Sequence, residues 1–342
     1  MMMPAMFAWQ APDYMGAKIR RSWKHTASLL GCRFSPGGDR VAAGAADASV
    51  QLWRLGDDQH ASGQGHETWV RCVGFSTDGS TIYSAGYDGN LCWWDADAFT
   101  AEQAAPRLQI SAHEGWVRWL EVHPSGQWIA TGGNDCQVRL WDAASGKLVR
   151  SFAGHEKHVY SLLFDPTGET LLSGDLAGVV RQWDVRTGKE MRVLDAAPLH
   201  TYHGGQQVDY GGVRCMALSH DLKWLACGGL HKATNPFAGV QEPLVLVLDW
   251  ETGQLIRTHE MTGVPRGLIW RLVYQPDGVL IGACGGDMGF LAFWQEDKAE
   301  FHKLKMPSPV LDCDQSRSDP HQIVASDFDG NLHLIELPPA SA

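Results

Sequence analysis

Residues 65–95 read GHETWVRCVGFSTDGSTIYSAGYDGNLCWWD. They contain a histidine, several serines and two well-placed aspartates; His66, Ser84 and Asp88 are among them. This is the inventory of a hydrolase triad, in which an oriented imidazole takes a proton from a hydroxyl. It is also the inventory of a buried polar network. The rest of the chain separates the two readings. A catalytic constellation is needed once, whereas a structural one recurs with every repeat of the element it supports.

The stretch does recur. The turn cores RFSPGG (from Arg33), GFSTDG (Gly74), EVHPSG (Glu121), LFDPTG (Leu163), ALSHDL (Ala217) and VYQPDG (Val273) stack on one another. A weaker seventh copy, LDCDQSRSDP, lies around Cys313. Pro and Gly supply the backbone angles of a tight turn between antiparallel strands. Each turn leads into a second strand ending in small residues, such as IYSAGYD, IATGGND or LIGACGGD. A third strand follows, such as NLCWWD, QVRLWD, VVRQWD or FLAFWQ, and then a turn and a fourth, as in ASGKLVRSF and RTGKEMRVL. Copies are mostly 40–47 residues apart, with two longer gaps.

A four-stranded twisted sheet cannot bury both faces alone, but several packed radially can. The expected fold is all-β: a seven-bladed β-propeller of four-stranded antiparallel blades. Six blades with an irregular cap is the alternative. The last copy, ending in GNLHLIELPP, supplies only three strands, and AKIRRSWKH (residues 17–25) is a spare strand ahead of the first. Pairing the two closes the ring and removes two exposed sheet edges. Residues 1–16 are expected to be a tail and 17–342 one domain. The blades fall roughly at 26–66, 67–113, 114–155, 156–209, 210–262, 263–306 and 307–338, the last completed by 17–25.

The pattern GH…(S/T)xxxD…WD within about 40 residues of four strands resembles the WD-repeat (WD40) propeller family. The match is strong in copies one to four and weaker in five to seven. The resemblance implies that His, Ser/Thr, Asp and Trp form a structural tetrad inside a blade. Carried over, the second copy gives His66, Ser84, Asp88 and Trp94, and the third gives His113, Thr131, Asp135 and Trp141. The first has His25, Asp47 and Trp53 but Ala43 in place of the hydroxyl. The fourth has His155, Ser173 and Trp183 but Ala177 in place of the aspartate. In all four the histidine precedes one strand position (Phe34, Phe75, Val122, Phe164) by nine residues. Copies five to seven have Asp209, Pro265 and Met306 at the histidine position. Recurrence with missing members favours the structural reading over a triad, so no catalytic residue and no cofactor is expected.

The resemblance also implies a top face, where the loops entering each first strand surround a central channel. There the copies read ETWVRC, EGWVRW, KHVYSL, GGVRCM and LIWRLV. Trp69, Trp116, His158, Tyr160 and Trp270 cluster by position, as do Arg71, Arg118, Arg214 and Arg271. Residues two apart on a strand share a side, which pairs Trp69 with Arg71 and Trp116 with Arg118. Aromatics and arginines dominate interface hot spots. The set suits a protein or peptide partner with an acidic or phosphorylated residue; the alternative is packing between blades. Two insertions, residues 198–212 and 230–243, should lengthen this face. A metal held by His200, His203 and His231, with Asp209 nearby, would make a metal-assisted hydrolase, one alternative function. A regulatory module of a larger assembly is another.

Composition bounds the rest. A formal net charge of −11 argues against nucleic acid or an anionic membrane as the main partner. Eight cysteines without a CxxC pair, mostly in apolar runs such as VRCVGF, read as reduced and buried in a cytoplasmic protein. No run reaches the roughly 18 apolar residues of a membrane helix, and the start does not read as a secretory signal. Nothing speaks for an oligomer, so a monomer is expected.

Overall fold

Each inner strand is apolar on both faces because each lies between two neighbouring blades. The second blade shows this: Val70–Phe75 and Thr81–Gly86 are buried throughout, and Asn90–Asp95 is buried over its four central residues. Fourth strands face solvent and are mostly exposed, as in Leu148–Phe152 and Glu190–Asp195. The computed structural model describes residues 10–57, 59–100, 103–234, 240–261, 264, 266–295 and 300–340.

Seven four-stranded antiparallel sheets form the ring, which settles the blade number at seven rather than six. The closing strand is the expected one. Lys18–Lys24 pairs antiparallel with Asn331–Glu336 and becomes the outer strand of the last blade. Within residues 10–16, expected as tail, Pro12 and Tyr14 are buried. Pro12 bridges Pro339, and buried Tyr14 lies tilted against Phe293, 5.6 Å between ring centres, and donates to Asp277 at 2.9 Å.

The tight turns between first and second strands use a left-handed residue. Gly168, with φ 75°, is one, and a Cβ there would lie 2.2 Å from His123 of the preceding blade. In the fifth blade Leu222 takes the equivalent place with φ 56°.

Six inner strands break register at one place, between Leu29/Gly31, Val70/Cys72, Val117/Trp119, Val159/Ser161, Ile269/Arg271 and Val310/Asp312. Each break is a bulge that sets two residues against one and re-aims a side chain. The residues so displaced are Leu30, Arg71, Arg118, Tyr160, Trp270 and Leu311. Arg214 holds the matching place in the fifth blade, just ahead of Cys215–Leu218.

Candidate functional site

The constellation in residues 65–95 is structural. His66 Nδ1–H donates to Asp88 at 2.9 Å, while Nε2 lies 2.7 Å from Ser84 Oγ. The same oxygen accepts from Trp94 Nε1 at 2.7 Å. The third blade repeats the pattern, with His113 2.8 Å from Asp135 and 2.7 Å from Thr131, and Trp141 2.8 Å from Thr131. Ser84 and Thr131 are fully buried at 0% exposure, so no substrate reaches either hydroxyl. Burial pushes the Asp88 carboxyl up, but the His66 hydrogen bond and charge and two backbone amides outweigh it and hold the group at about 2. Burial lowers His113, favouring the neutral ring that both its hydrogen bonds can use.

The fourth blade corrects the sequence expectation. Ala177 does stand in the aspartate position, yet the tetrad is complete. Asp175, two residues earlier, lies 2.8 Å from His155 Nδ1, and Ser173 accepts from Trp183 at 2.7 Å. In the second and third blades that backbone position is Gly86 or Gly133, where a Cβ would meet the histidine ring at 2.8 or 2.7 Å. In the fourth the aspartate itself grows from that position.

Two blades rebuild the network from the strand opposite. Where Ala43 and Ala325 lack the hydroxyl, their directly paired residues are Gln51 and His333. Gln51 bonds His60 at 2.6 Å, and His60 stacks on Trp53 at 4.6 Å. His333 lies 2.9 Å from Asp327 and 2.7 Å from Ser22 of the closing strand. Sequence reading missed Asp175, His333 and Gln51 because it looked for the motif at fixed offsets. Pro265 lies outside the described residues. Met306 is simply buried core.

On the top face the displaced residues make a two-sided ring. Blades two to five contribute Arg71, Arg118, Tyr160 and Arg214; blades six, seven and one contribute Trp270, Leu311 and Leu30. The Tyr160 ring lies between two guanidinium groups, Arg118 at 5.0 Å and Arg214 at 3.9 Å. Arg71 crosses the channel to lie 5.4 Å from the Trp270 ring. Arg118 donates to Asn134 at 2.7 Å, Arg214 to the Gly211 carbonyl at 2.8 Å and Arg71 to the Leu30 carbonyl at 2.5 Å. Among the described residues no carboxylate pairs with any of the three. Burial lowers the Arg214 pKa, and the nearby charges of Arg118 and Arg71 lower it further, against the Tyr160 hydroxyl.

Outside this ring, Trp69 and Trp116 are 51% and 42% exposed. Tyr87, absent from the expected set, joins them: it stacks on Trp116 at 4.2 Å and lies 5.8 Å from Trp69. Arg118 covers Trp116 at 4.4 Å, as the strand pairing predicts. The predicted Trp69–Arg71 pairing does not form: Arg71 turns to Trp270 instead, whereas Arg118, at the same bulge position, stays on Trp116. His158 sits edge-on to Tyr160 at 6.4 Å.

Arg271 lies one layer lower, inside the channel. Its guanidinium covers Trp119 at 5.0 Å and stands 4.0 Å from Asp312. Arg33 donates to the same carboxylate at 2.7 Å. Burial lowers Arg33, but Asp312 and Asp314 overcome that and raise it. Burial raises Asp314, with Arg33 and Arg271 opposing.

The first insertion folds as a hairpin, His200–His203 against Val208–Gly211. Asp209 accepts from Lys157 at 2.7 Å and lies 2.8 Å from His200, which docks the hairpin on the fourth blade's entry loop. Among the described residues, His200, His203 and His231, the triple of the alternative metal reading, do not gather within metal-holding distance. His231 gathers instead with Glu242 and Glu260. Lys232 Nζ sits 2.8 Å from Glu242 and 3.8 Å from Glu260, so an ammonium already offsets part of that pair's charge.

Comparison with known proteins agrees with this geometry. The model for "WD domain, G-beta repeat" matches residues 17–54, 59–95, 105–142 and 146–184. Each match starts on the outer strand of one blade and ends on the third strand of the next, so the sequence repeat straddles the structural one. A stretch of 90 residues, 25% of the chain, is 31% identical to "WD repeat and SOCS box-containing protein 1" of Xenopus tropicalis and covers 21% of it. Another of 97 residues, 27% of the chain, is 29% identical to "U3 snoRNP-associated protein-like EMB2271" of Arabidopsis thaliana and covers 20% of it. The chain thus spans about a fifth of the length of these curated relatives. The repeats and the seven-bladed ring place the chain in the WD40-repeat β-propeller family.

Proposed function

We propose that this WD40 propeller is a non-enzymatic, cytoplasmic interaction scaffold that binds a protein or peptide on its top face. The observation that carries this reading is the set of three channel-mouth arginines, Arg71, Arg118 and Arg214. They stand together without a carboxylate partner among the described residues. A partly buried guanidinium is costly unless its charge is compensated, and a partner's carboxylate or phosphate supplies that in bidentate geometry. The exposed Trp69–Tyr87–Trp116 stack beside them offers rigid aromatic area. The contacting group is an acidic or phosphorylated residue. Eight cysteines outside any disulfide, seven of them buried, fit a reducing compartment.

Quantitative affinity capture from native lysate, wild type against Trp116→Ala/Arg118→Glu, tests the site. Trp116 is exposed and Arg118 half-buried, so thermal melting verifies the variant's fold. Partners lost selectively by the variant support the top face. Equal capture by both proteins moves the site elsewhere.

A further inference from the structure

The channel mouth is divided. Its basic half, from blades two to five, is Arg71, Arg118, Tyr160 and Arg214. Its other half, Trp270, Leu311 and Leu30, carries no charge. Behind the uncharged half a cavity of about 280 Å³ opens between the top loops of blades six and seven. Leu268, Trp270, Pro309, Leu311 and Phe328 form its apolar lining. Phe328 stands at the rim, 59% exposed, although it is a large aromatic side chain. Arg266 also lies at the rim, 3.2 Å from Asp287. The two halves touch: the indole that walls the cavity is the one Arg71 covers at 5.4 Å. An anion on the arginines and an apolar group in the cavity would be separated by little more than that ring.

We infer that the mouth reads a two-part peptide motif, an anionic residue on Arg71, Arg118 and Arg214 and a bulky apolar side chain in the cavity between blades six and seven. This rests on the top-face reading and specifies its partner. Charge complementarity selects the occupant. Three cations without counter-charges at one end favour an acidic segment, and the mainly apolar cavity at the other end, where the one lining charge, Arg266, is already held by Asp287, favours an apolar side chain. At about 3.3 Å per residue in an extended chain, the two elements lie within a few residues of each other. The cavity is large enough for one leucine, methionine or phenylalanine side chain. Burying such a group adds roughly a factor of ten or more to affinity.

The test uses the full chain and an array of short synthetic peptides. Each carries one central phosphoserine, glutamate or neutral serine, with Leu, Phe or Ala substituted at every other position in turn. The expected result is tighter capture, by about tenfold, when Leu or Phe stands at one fixed offset from the anionic residue. Phe328→Ala, which removes the rim, and Leu311→Trp, which fills the cavity, each flatten that offset preference. Comparing the phosphoserine and glutamate arms says which anion the arginines read. Selection for the anion with no apolar offset overturns this inference and leaves the top-face reading intact. An apolar preference that survives both cavity variants overturns it as well. Capture that ignores the anion altogether overturns both.

Discussion

Two sets of arginines line one channel, and they differ in what faces them. Arg33 and Arg271 lie in the interior with Asp312 and Asp314, and Asp312 also accepts from the backbone N–H of Cys32 and Cys313. Arg71, Arg118 and Arg214 lie at the mouth, where rings, carbonyls and one amide face them. Counter-charges raise the Arg33 pKa, whereas burial and like charges lower that of Arg214. The same residue type on equivalent strands therefore does two jobs. The paired set ties the neighbouring blades six, seven and one together; the unpaired set is left for something outside the chain.

Breaking each set should separate the two roles. Arg33→Met leaves Asp312 and Asp314 buried without their main cation and is expected to cost about 3–5 kcal/mol in urea unfolding. Arg118→Gln/Arg214→Gln removes mutual repulsion together with some ring contact, and its stability should stay within about 1 kcal/mol of wild type. If the mouth variant loses as much as Arg33→Met, the mouth arginines are structural and the binding proposal fails.

A comparison among blades sharpens the account of the tetrads. If Asp175 replaces the usual loop aspartate, Asp175→Gly should cost about 2 kcal/mol by orphaning His155. The double variant Asp175→Gly/Ala177→Asp rebuilds the second-blade pattern and should recover most of that loss. Failure to recover would mean that the fourth blade's loop cannot take the second blade's conformation.

These exchanges explain what the sequence could and could not disclose. Turn and strand periodicity repeat along the chain, so His66, Ser84 and Trp94 and their third-blade counterparts are legible by spacing. Ring closure is legible too, from one strand too few at the end and one too many at the start. Asp175 and His333 are not, because a side chain can reach one hydrogen-bond position from several backbone positions. The mouth arginines were legible as a cluster, and their split from Arg271 is marked in the spacing: Arg71, Arg118 and Arg214 stand eight residues before Gly79, Gly126 and Leu222, whereas Arg271 stands seven before Gly278 and so falls one place past the bulge. Tyr87 and the cavity formed by Trp270, Leu311 and Phe328 are assembled from loops of different blades, which only the closed ring brings together.

Two histidines add a pH window to the comparison. Burial lowers His259, stacked on Trp294 at 5.7 Å, to about 4, and burial also lowers His113. A folded-state pKa below the unfolded value of about 6.5 means the unfolded chain binds more protons between the two. Stability is therefore full above pH 6.5 and falls toward pH 4, by an amount on the order of 2 kcal/mol. Depressed carboxylates such as Asp88 act only below their unfolded value near 3.8, a separate window. Melting temperatures at pH 7, 5.5 and 4.5 should follow this slope in wild type, and His259→Phe should flatten it. An unchanged slope in that variant would remove His259 from the account.

The smallest expected effect lies in the fifth blade's first turn. Four other blades place Gly38, Gly79, Gly126 and Gly168 at this position with φ between 73° and 75°, whereas Leu222 adopts φ 56° there. A branched side chain in the left-handed region clashes with its own backbone, and glycine does not. Leu222 is 39% exposed, so its removal forfeits little packing. Glycine also gains entropy in the unfolded chain, which offsets part of the relief. Leu222→Gly should therefore stabilise the protein, but only by about 0.5–1 kcal/mol. A rise in the urea midpoint with an unchanged slope would show that the turn is strained by its residue alone. A fall would mean that the Leu222 side chain packs against the turn more than its exposure suggests, and that the fifth blade diverged from its neighbours for a reason of its own.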